Sequence, residues 1–261
     1  MSLRQKQVSE LNLKGITSIV HLAGKAHEMK KIDPRVYFQV NRDLTLQLAE
    51  KAKNHGVEQF VFISTVKVYG DINNGILDET SICNPTDPYG KSKYEAEQGL
   101  KKIESEGFKV TIIRPPLIYG KGVKGNLYKL MELIRKTPLL PFNKIDNLRS
   151  MVYVQNLIFL IKHLIENQNS GTFIAGDRKP HSTSELVIKL KKQLDSKALI
   201  FAFPLFVIFL LKKIKPQLAE RLYGSFIIDN TNTNNKLNFQ PPFSFEQGIE
   251  EMAAEFLKTK K

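Results

Sequence analysis

The stretch QFVFIST, at residues 59–65, is a short apolar run that ends in two hydroxyl residues. Similar runs occur at residues 17–24 (TSIVHLAG), 109–116 (KVTIIRPP) and 171–176 (GTFIAG). Short, nearly continuous apolar runs are typical of strands that are buried on both faces of a parallel sheet. We therefore predict one strand from each of the four runs.

Amphipathic stretches separate these predicted strands. Apolar residues recur at helical spacing in residues 38–56, 87–107 and 126–136, and each stretch predicts a helix. Strands that alternate with helices form a parallel sheet covered on both faces, so the predicted fold class is a doubly wound α/β sheet. The pattern changes near residue 177. We expect a sheet domain at residues 1–177 and a smaller lobe, interleaved with it, at residues 178–261.

The amino-acid composition indicates the class of protein and its cellular compartment. Hydrophobic residues make up 42% of the 261 residues, which is enough for a sizeable core. The single cysteine, Cys83, excludes an internal disulfide framework, and the first fifteen residues lack the apolar core of a signal peptide. Both features favour a cytoplasmic protein. The five histidines have no metal-ligand spacing, so we predict no metal site.

The net charge of +13 indicates anionic partners. The basic residues are spread along the chain and do not cluster with aromatic residues, which argues against a nucleic-acid partner. ALIFAFPLFVIFLL, at residues 198–211, contains fourteen uncharged residues and is too short to span a bilayer. It is either a buried helix or a helix on the inner surface of the membrane, in which case residues 198–215 would make peripheral contact with anionic lipid.

A candidate catalytic pair lies in DPYGKSKYEAE, at residues 87–97. Tyr89 precedes Lys93 by four residues, so both side chains share one face of a helix, and a nearby cation favours the phenolate. Ligands of parallel sheets bind beyond the carboxyl ends of the strands, where Thr65 is also expected. A phenol, an ammonium group and a hydroxyl suit proton removal from an alcohol during hydride transfer. The alternative is an ordinary helix start.

Several segments resemble, in their order and spacing, the NAD-dependent epimerase/dehydratase family of extended short-chain dehydrogenases/reductases. These are HLAG, FVFISTVKVYG, DPYGKSK, IIRPPLIYG and LRSMVYVQNL. The resemblance extends over residues 16–256, and it is closest to bacterial enzymes of surface-polysaccharide synthesis that act on UDP-linked sugars. It implies a Rossmann-like fold, NAD as the cofactor and a UDP-sugar as the substrate, and a homodimer is a further hypothesis.

The resemblance also implies roles for individual residues. Tyr89 would be the acid/base, Lys93 would lower its pKa, and Thr65 would assist. The cofactor would contact Ala23, Gly24, Asn41, Lys93 and Pro116. The nucleotide diphosphate would contact Asn126 and Arg149. The structural alternatives are a strand-end cap for Thr65, a helix cap for Asn41 and a solvated loop charge for Arg149.

The sequence departs from the family at its start. The family begins with a strand, a Gly-rich turn and a helix that hold the pyrophosphate, whereas TSIVHLAG resembles the family's fourth strand and begins at residue 17. We therefore expect an N-terminally truncated sheet, weak NAD binding by the chain as given, and dimerisation through the exposed edge of its first strand. GKGVKG, at residues 120–125, matches a dinucleotide fingerprint, but in the family this loop faces the sugar nucleotide.

The residues after Thr65 bear on the reaction. Dehydratases of the family usually have an Asp-Glu pair there, and this sequence has Val66 and Lys67. Dehydration is thereby disfavoured. The hypotheses that remain are 4-epimerisation and reduction of a 4-keto sugar. The alternative is an inactive remnant, or a membrane-associated sugar-nucleotide-binding protein without catalysis.

Overall fold

The computed structural model describes residues 5–25, 33–70, 75–202, 209–210, 213–214 and 216–259. The strands are β1 (Ser18–His21), β2 (Gln59–Ile63), β3 (Ile76–Leu77), β4 (Lys109–Arg114), β5 (Leu117–Tyr119), β6 (Leu139–Leu140), β7 (Met151–Tyr153), β8 (Gly171–Ile174), β9 (Leu199–Ile200) and β10 (Ile227–Ile228). The helices are α1 (Gln5–Glu10), α2 (Pro34–Phe38), α3 (Leu44–Asn54), α4 (Pro88–Ile103), α5 (Asn126–Lys136), α6 (Val154–Glu166), α7 (Thr183–Gln193), α8 (Pro216–Tyr223), α9 (Thr231–Leu237) and α10 (Phe245–Lys258).

The chain forms two compact units. The first comprises residues 1–116, 160–175 and 229–239, and the second comprises residues 117–159, 176–228 and 240–261. The predicted division at residue 177 differs from this grouping, because the apolar residues of α5 pack with those of α7 and α10. Sequence order alone does not show that packing.

The first unit contains a parallel sheet with the strand order β1-β2-β4-β8. Val20 lies opposite Val61, Val61 opposite Thr111, and Ile112 opposite Thr172. The four predicted strands are confirmed. Among the residues that the structure describes, β1 is at one end of the sheet. Dimerisation through this edge stays a prediction.

Successive side chains of β2 point to opposite faces of the sheet. Phe60 and Phe62 are fully buried in a cluster with apolar residues of α3 and α4. On the other face, Gln59 Nε2 donates to the carbonyl oxygens of Leu164, at the end of α6, and of Asn169. Helices thus cover both faces, and the doubly wound α/β prediction is confirmed.

Two helices of the first unit differ in extent from the prediction. The helix expected at 38–56 begins at Pro34, because the side chain of Asp33 accepts a hydrogen bond from Arg35 N and proline is favoured at the first helical position. Its middle, Gln39–Asp43, is a turn of π-helix between α2 and α3. The helix expected at 87–107 ends at Ile103, since the next residue, Glu104, is extended (φ −51°, ψ 142°).

The second unit has its own core, formed mainly by α5, α7 and α10. Its most buried side chains include Met131, Ile134, Leu190, Ile249 and Met252. β5 pairs with β7 and β6 pairs with β9, in both cases in parallel.

Part of the apolar stretch at 198–211 falls on β9, whereas residues 203–208 and 211–212 lie outside the described residues. Across the described residues, the structure contains no helix with the length and apolar character needed to cross a membrane.

Candidate active site

Thr65 lies two residues beyond the end of β2 and begins a short 3-10 helix, Val66–Tyr69. Its side chain is buried, and its hydroxyl oxygen accepts a hydrogen bond of 3.2 Å from Lys67 N. The chain beside it is fixed because Val66 N donates to Pro115 O over 3.1 Å. The loop after β2 is therefore tied to the loop after β4, and Thr65 is held at the carboxyl ends of the strands.

Tyr89 lies in the first turn of α4, directly against the Thr65 loop. Asp87 caps this helix by accepting a hydrogen bond of 2.7 Å from Gly90 N. A Cβ atom at Gly90 would lie 2.7 Å from Lys67 O, so only glycine permits this close approach. Burial raises the pKa of Tyr89, and a hydrogen bond between the Tyr89 and Thr65 side chains acts in the opposite direction.

Lys93 follows Tyr89 by one helical turn and is buried. Its Nζ donates a hydrogen bond of 2.8 Å to Ile63 O and lies 4.4 Å from the centre of the Phe62 ring. Burial lowers the pKa of Lys93 to about 8, and the negative charge of Glu97 opposes that shift. An amine with this pKa is still mostly protonated at neutral pH, as required to stabilise a phenolate.

Asn41 is fully buried in the π-helical turn and joins two parts of the site. Its Oδ1 accepts from Lys25 N at 2.7 Å, and its Nδ2 donates to Lys25 O at 3.1 Å and to Ser92 Oγ at 3.0 Å. Ser92 Oγ donates in turn to Tyr89 O. The Asn41 amide thus holds the loop after β1 against α4, and the suggestion of a simple helix cap does not describe these contacts.

Gly24 lies next to the side chains of Asn41 and Lys93. A Cβ atom at Gly24 would be 3.0 Å from Asn41 Oδ1 and 3.3 Å from Lys93 Nζ, so the bare glycine backbone allows both side chains to approach it closely. Ala23 precedes it and is partly exposed, and Pro116 is buried at the end of the first unit. The first unit therefore brings Thr65, Tyr89, Lys93, Asn41 and Gly24 to the carboxyl ends of β1 and β2.

The two residues predicted for the substrate side belong to the second unit. Asn126 is exposed at the start of α5 and follows Gly125, whose φ of 69° suits glycine. Arg149 is partly buried, and its Nη1 donates to Gly224 O at 3.0 Å and to Glu220 O at 3.4 Å. Its guanidinium is therefore held by backbone carbonyls at the end of α8, which differs from a solvated loop charge.

A buried ion pair beneath Lys93 was missed in the sequence. Glu97, one turn after Lys93, accepts hydrogen bonds from Arg114 Nε at 3.1 Å and Nη2 at 2.6 Å. The Ser64 hydroxyl also donates to Glu97. Two signals could have indicated this pair, namely the i, i+4 spacing from Lys93 to Glu97 and the arginine that closes the apolar run KVTIIR.

A doubly wound parallel sheet with its candidate site at the carboxyl ends of the strands is the arrangement of a Rossmann-like α/β protein. The chain belongs to the NAD dependent epimerase/dehydratase family, whose sequence model matches residues 3–176. It is 36% identical over 261 residues to a UDP-glucose 4-epimerase of Vibrio cholerae, an alignment that covers 95% of this chain and 79% of that protein.

A second relative acts on a different form of sugar. The chain is 30% identical over 200 residues to the N-acetyl-alpha-D-glucosaminyl-diphospho-ditrans,octacis-undecaprenol 4-epimerase of Escherichia coli O157:H7. This match covers 75% of the chain and 60% of the relative, so the chain spans less than two thirds of that protein.

Solved structures of similar fold include two epimerases. The UDP-glucuronic acid 4-epimerase of Bacillus cereus, in complex with NAD, has a TM-score of 0.77 at 20% identity, over 97% of this chain and 78% of that chain. The UDP-glucose 4-epimerase of Thermotoga maritima, with UDP-glucose, has a TM-score of 0.73 at 24% identity, over 94% and 78%. At these identities the likeness shows the fold.

Proposed function

We propose that this chain is an NAD-dependent nucleotide-sugar 4-epimerase that acts on a UDP-linked sugar. The observation that carries the proposal is the placement of Tyr89 beside Thr65 and one helical turn before the buried Lys93. The names of the relatives, which include UDP-glucose 4-epimerases, support the reaction and the substrate class. Reduction of a 4-keto sugar is the second candidate, because it uses the same groups.

The surroundings of Gly24 fit the nicotinamide end of NAD. The glycine brings its backbone close to Lys93 Nζ, and among the described residues Ile63 O accepts one of the three N–H bonds of that ammonium. Lys93 and the backbone of Ala23 and Gly24 would hold the ribose, with Pro116 nearby. Asn41 would act on the cofactor through the Gly24–Lys25 loop, which its amide holds.

Side chains of the site would then transfer a proton to and from the sugar. Tyr89, as the phenolate, would accept the proton of the sugar 4-hydroxyl and later return a proton to the same oxygen. Lys93 would stabilise the phenolate, and Thr65 would position the sugar oxygen. The chemistry that NAD supplies when bound is reversible hydride exchange at that carbon.

The positions after Thr65 are unsuited to the loss of water. Val66 is buried and apolar, and Lys67 Nζ lies 4.0 Å from the helix-capping carboxylate of Asp87. A lysine paired in this way does not replace the acid and base of a dehydratase. The arrangement supports 4-epimerisation or 4-keto reduction.

Asn126 and Arg149 are proposed to contact the nucleotide diphosphate. A guanidinium binds phosphate oxygens through a planar fork of donors. The carbonyl oxygens of Glu220 and Gly224 accept from Nη1 of Arg149 and would orient the group for this role. The downstream role in surface-polysaccharide synthesis remains our hypothesis.

The Tyr89→Phe variant tests the proposal. Interconversion of UDP-glucose and UDP-galactose would be followed by proton NMR with added NAD, and reduction of a UDP-4-keto sugar would be followed by NADH absorbance. We expect turnover to fall roughly 10²–10⁴-fold in Tyr89→Phe while UDP-sugar binding persists. Tyr94→Phe, on the same helix, is the matched control.

Each outcome separates the hypotheses. Near-native turnover in Tyr89→Phe would exclude the assigned acid/base. Wild-type protein that binds UDP-sugar but turns over neither substrate would favour the alternative, a sugar-nucleotide-binding protein without catalysis.

Peripheral membrane contact through residues 198–215 is proposed as a partner interaction of this protein. Phe209, Leu210 and Ile214 are 61%, 52% and 65% exposed, and Lys213 Nζ lies 4.8 Å from the Phe209 ring centre. Three exposed apolar side chains beside a cation suit an anionic bilayer surface.

Flotation with phosphatidylglycerol vesicles at low salt tests this contact. The wild-type chain should float with the vesicles, and the double substitution Phe209→Ser, Ile214→Ser should reduce the floated fraction. Ile82→Ser changes an isoleucine that is 88% exposed elsewhere and serves as the control. The absence of wild-type flotation, or an equal loss in the control, would exclude the contact.

A further inference from the structure

The ammonium of Lys93 is held by the chain at the end of β2. Ile63 O accepts its hydrogen bond of 2.8 Å, so the position of that carbonyl determines the position of the charge. The next residue, Ser64, is fixed on both sides. Its N–H donates 2.8 Å to Ile113 O on β4, and its hydroxyl donates to Glu97.

Glu97 is fully buried and joins α4 to two strand ends. Both carboxylate oxygens are used, since Arg114 donates to each of them and Ser64 donates to Oε1. Arg114 is also buried, and its Nη1 donates 2.8 Å to the hydroxyl of Tyr69. The Tyr69 hydroxyl donates to Asp78 O, so the ion pair continues into a hydrogen-bonded chain.

Tyr89, Lys93 and Glu97 recur at intervals of four residues, so they form one stripe along α4. We propose that Glu97 is a positioning residue that holds Lys93 as a cation against the end of β2, through Ser64 and the Arg114 ion pair. This inference rests on the proposed function of Tyr89 and Lys93. Glu97 itself is assigned no contact with substrate or cofactor.

The charges around Lys93 support this role. Burial lowers the pKa of Lys93 to about 8, and Glu97 is the group that opposes the shift. Among the described residues, other titratable groups near the site include His21 from β1, Tyr37 from α2, Asp87 and Tyr89 at the start of α4, and Arg114 from β4. Burial and the Lys93 charge keep His21 neutral by lowering its pKa to about 4, and Arg114 is itself a cation, so Glu97 supplies the negative charge.

Stability alone does not explain a charged pair at this place. A buried ion pair is often replaced by apolar residues without loss of stability, whereas removal of one partner leaves a costly unpaired charge. A purely structural pair would affect unfolding and leave Lys93 unchanged. A positioning pair must also affect the protonation of Lys93.

The experiment is an NMR titration of Lys93 in the full chain, with ¹³C-labelled lysine and the Lys93 signal assigned by its loss in Lys93→Met. In Glu97→Gln we expect the Lys93 pKa to fall by about one unit from its wild-type value. The basic limb of the turnover profile should move to lower pH, because Lys93 then loses its proton at a lower pH and a neutral Lys93 no longer stabilises the phenolate. Glu95→Gln is the matched control, since Glu95 lies on the same helix and pairs with Arg42 at 2.6 Å.

An unchanged Lys93 pKa in folded Glu97→Gln would overturn the proposal. Should Glu97→Gln fail to fold, the double variant Glu97→Gln, Arg114→Gln leaves no unpaired charge and is titrated in its place. The proposal expects a lowered Lys93 pKa there too, and a value equal to wild type would overturn it. The titration needs no substrate, so its result is independent of whether the chain turns over a sugar nucleotide.

Discussion

The imidazole of His21 donates a hydrogen bond to the hydroxyl of Thr45, and this fixes its tautomer. The two atoms, Nε2 and Oγ1, are 3.0 Å apart. The Thr45 hydroxyl has a single hydrogen and donates it to Asn41 O at 2.8 Å, so it accepts from His21. Burial lowers the pKa of His21 to about 4, so at neutral pH the ring is neutral with its hydrogen on Nε2, and it is stacked near Phe62 at the end of β1.

His21 should make the folded state sensitive to acid. Burial, and then the Lys93 charge, lower the pKa of His21 from 6.5 to about 4. Between these values the unfolded chain binds a proton that the folded chain does not, so stability falls as the pH drops from 6.5 towards 4. We expect this contribution to be at most about 3 kcal/mol.

Urea unfolding at several pH values between 7 and 4 measures this effect. His21→Gln should remove it, whereas His55→Gln, which changes an exposed histidine, should keep it. Equal pH dependence in the wild type and in His21→Gln would contradict the prediction.

Lys93 should destabilise the folded state at neutral pH. Burial lowers its pKa from 10.5 to about 8, so between pH 8 and 10.5 the unfolded chain binds the additional proton. Stability from this group therefore rises with pH across that window. Lys93→Met should gain most stability over the wild type near pH 7. By pH 10 this gain in the free energy of unfolding should be smaller, by up to about 3 kcal/mol.

The relevant comparison is chemical unfolding of Lys93→Met and wild type at pH 7 and pH 10. Lys91→Met changes an exposed lysine of the same helix and should show no such trend. A relative stability that does not vary between the two pH values would exclude the predicted cost.

The main elements of the fold and the placement of Tyr89 one helical turn before Lys93 were predictable from sequence. The strands were evident because each is a continuous apolar run, and Tyr89 with Lys93 because helical spacing is regular. The domain grouping was not predictable, since the packing of residues 117–159 with the C-terminal part depends on contacts distant in sequence. The π-helical turn at Asn41 was hidden because its apolar neighbours follow ordinary helical spacing.

The carboxylate that pairs with the buried Arg114 was equally hard to predict from sequence. Arg114 ends an apolar strand, so a partner had to exist, but the sequence offers many carboxylates. The choice of Glu97 depends on how α4 lies along β4. The spacing of Glu97 from Lys93 is a signal in the sequence, but the folded chain is needed to show that Glu97 pairs with Arg114.

Gly90→Ala should separate α4 from the Thr65 loop. The new Cβ atom would lie 2.7 Å from Lys67 O, a backbone atom that cannot turn away, so the start of the helix must shift. A displacement of about 1 Å can reduce turnover by roughly 10²-fold. Steady-state turnover, with circular dichroism as a check of folding, measures the effect.

Gly99→Ala is the control for that prediction. It lies on the same helix, and the three atoms nearest to its Cβ atom would all belong to the side chain of Leu46, which can change rotamer. Turnover reduced equally in both variants would indicate general helix damage and would contradict a specific role for the Gly90 contact.

Gly24→Ala should weaken NAD binding while the fold is retained. The added Cβ atom would lie 3.0 Å from Asn41 Oδ1 and 3.3 Å from Lys93 Nζ, and would displace the two side chains that are proposed to act on the cofactor. We expect the Kd for NAD to rise at least tenfold, about 1.4 kcal/mol. Calorimetric titration up to millimolar NAD compares the variant with wild type and with Gly107→Ala, where no atom lies within 4 Å of the new Cβ. Equal NAD affinity in the three proteins would place the cofactor away from Gly24.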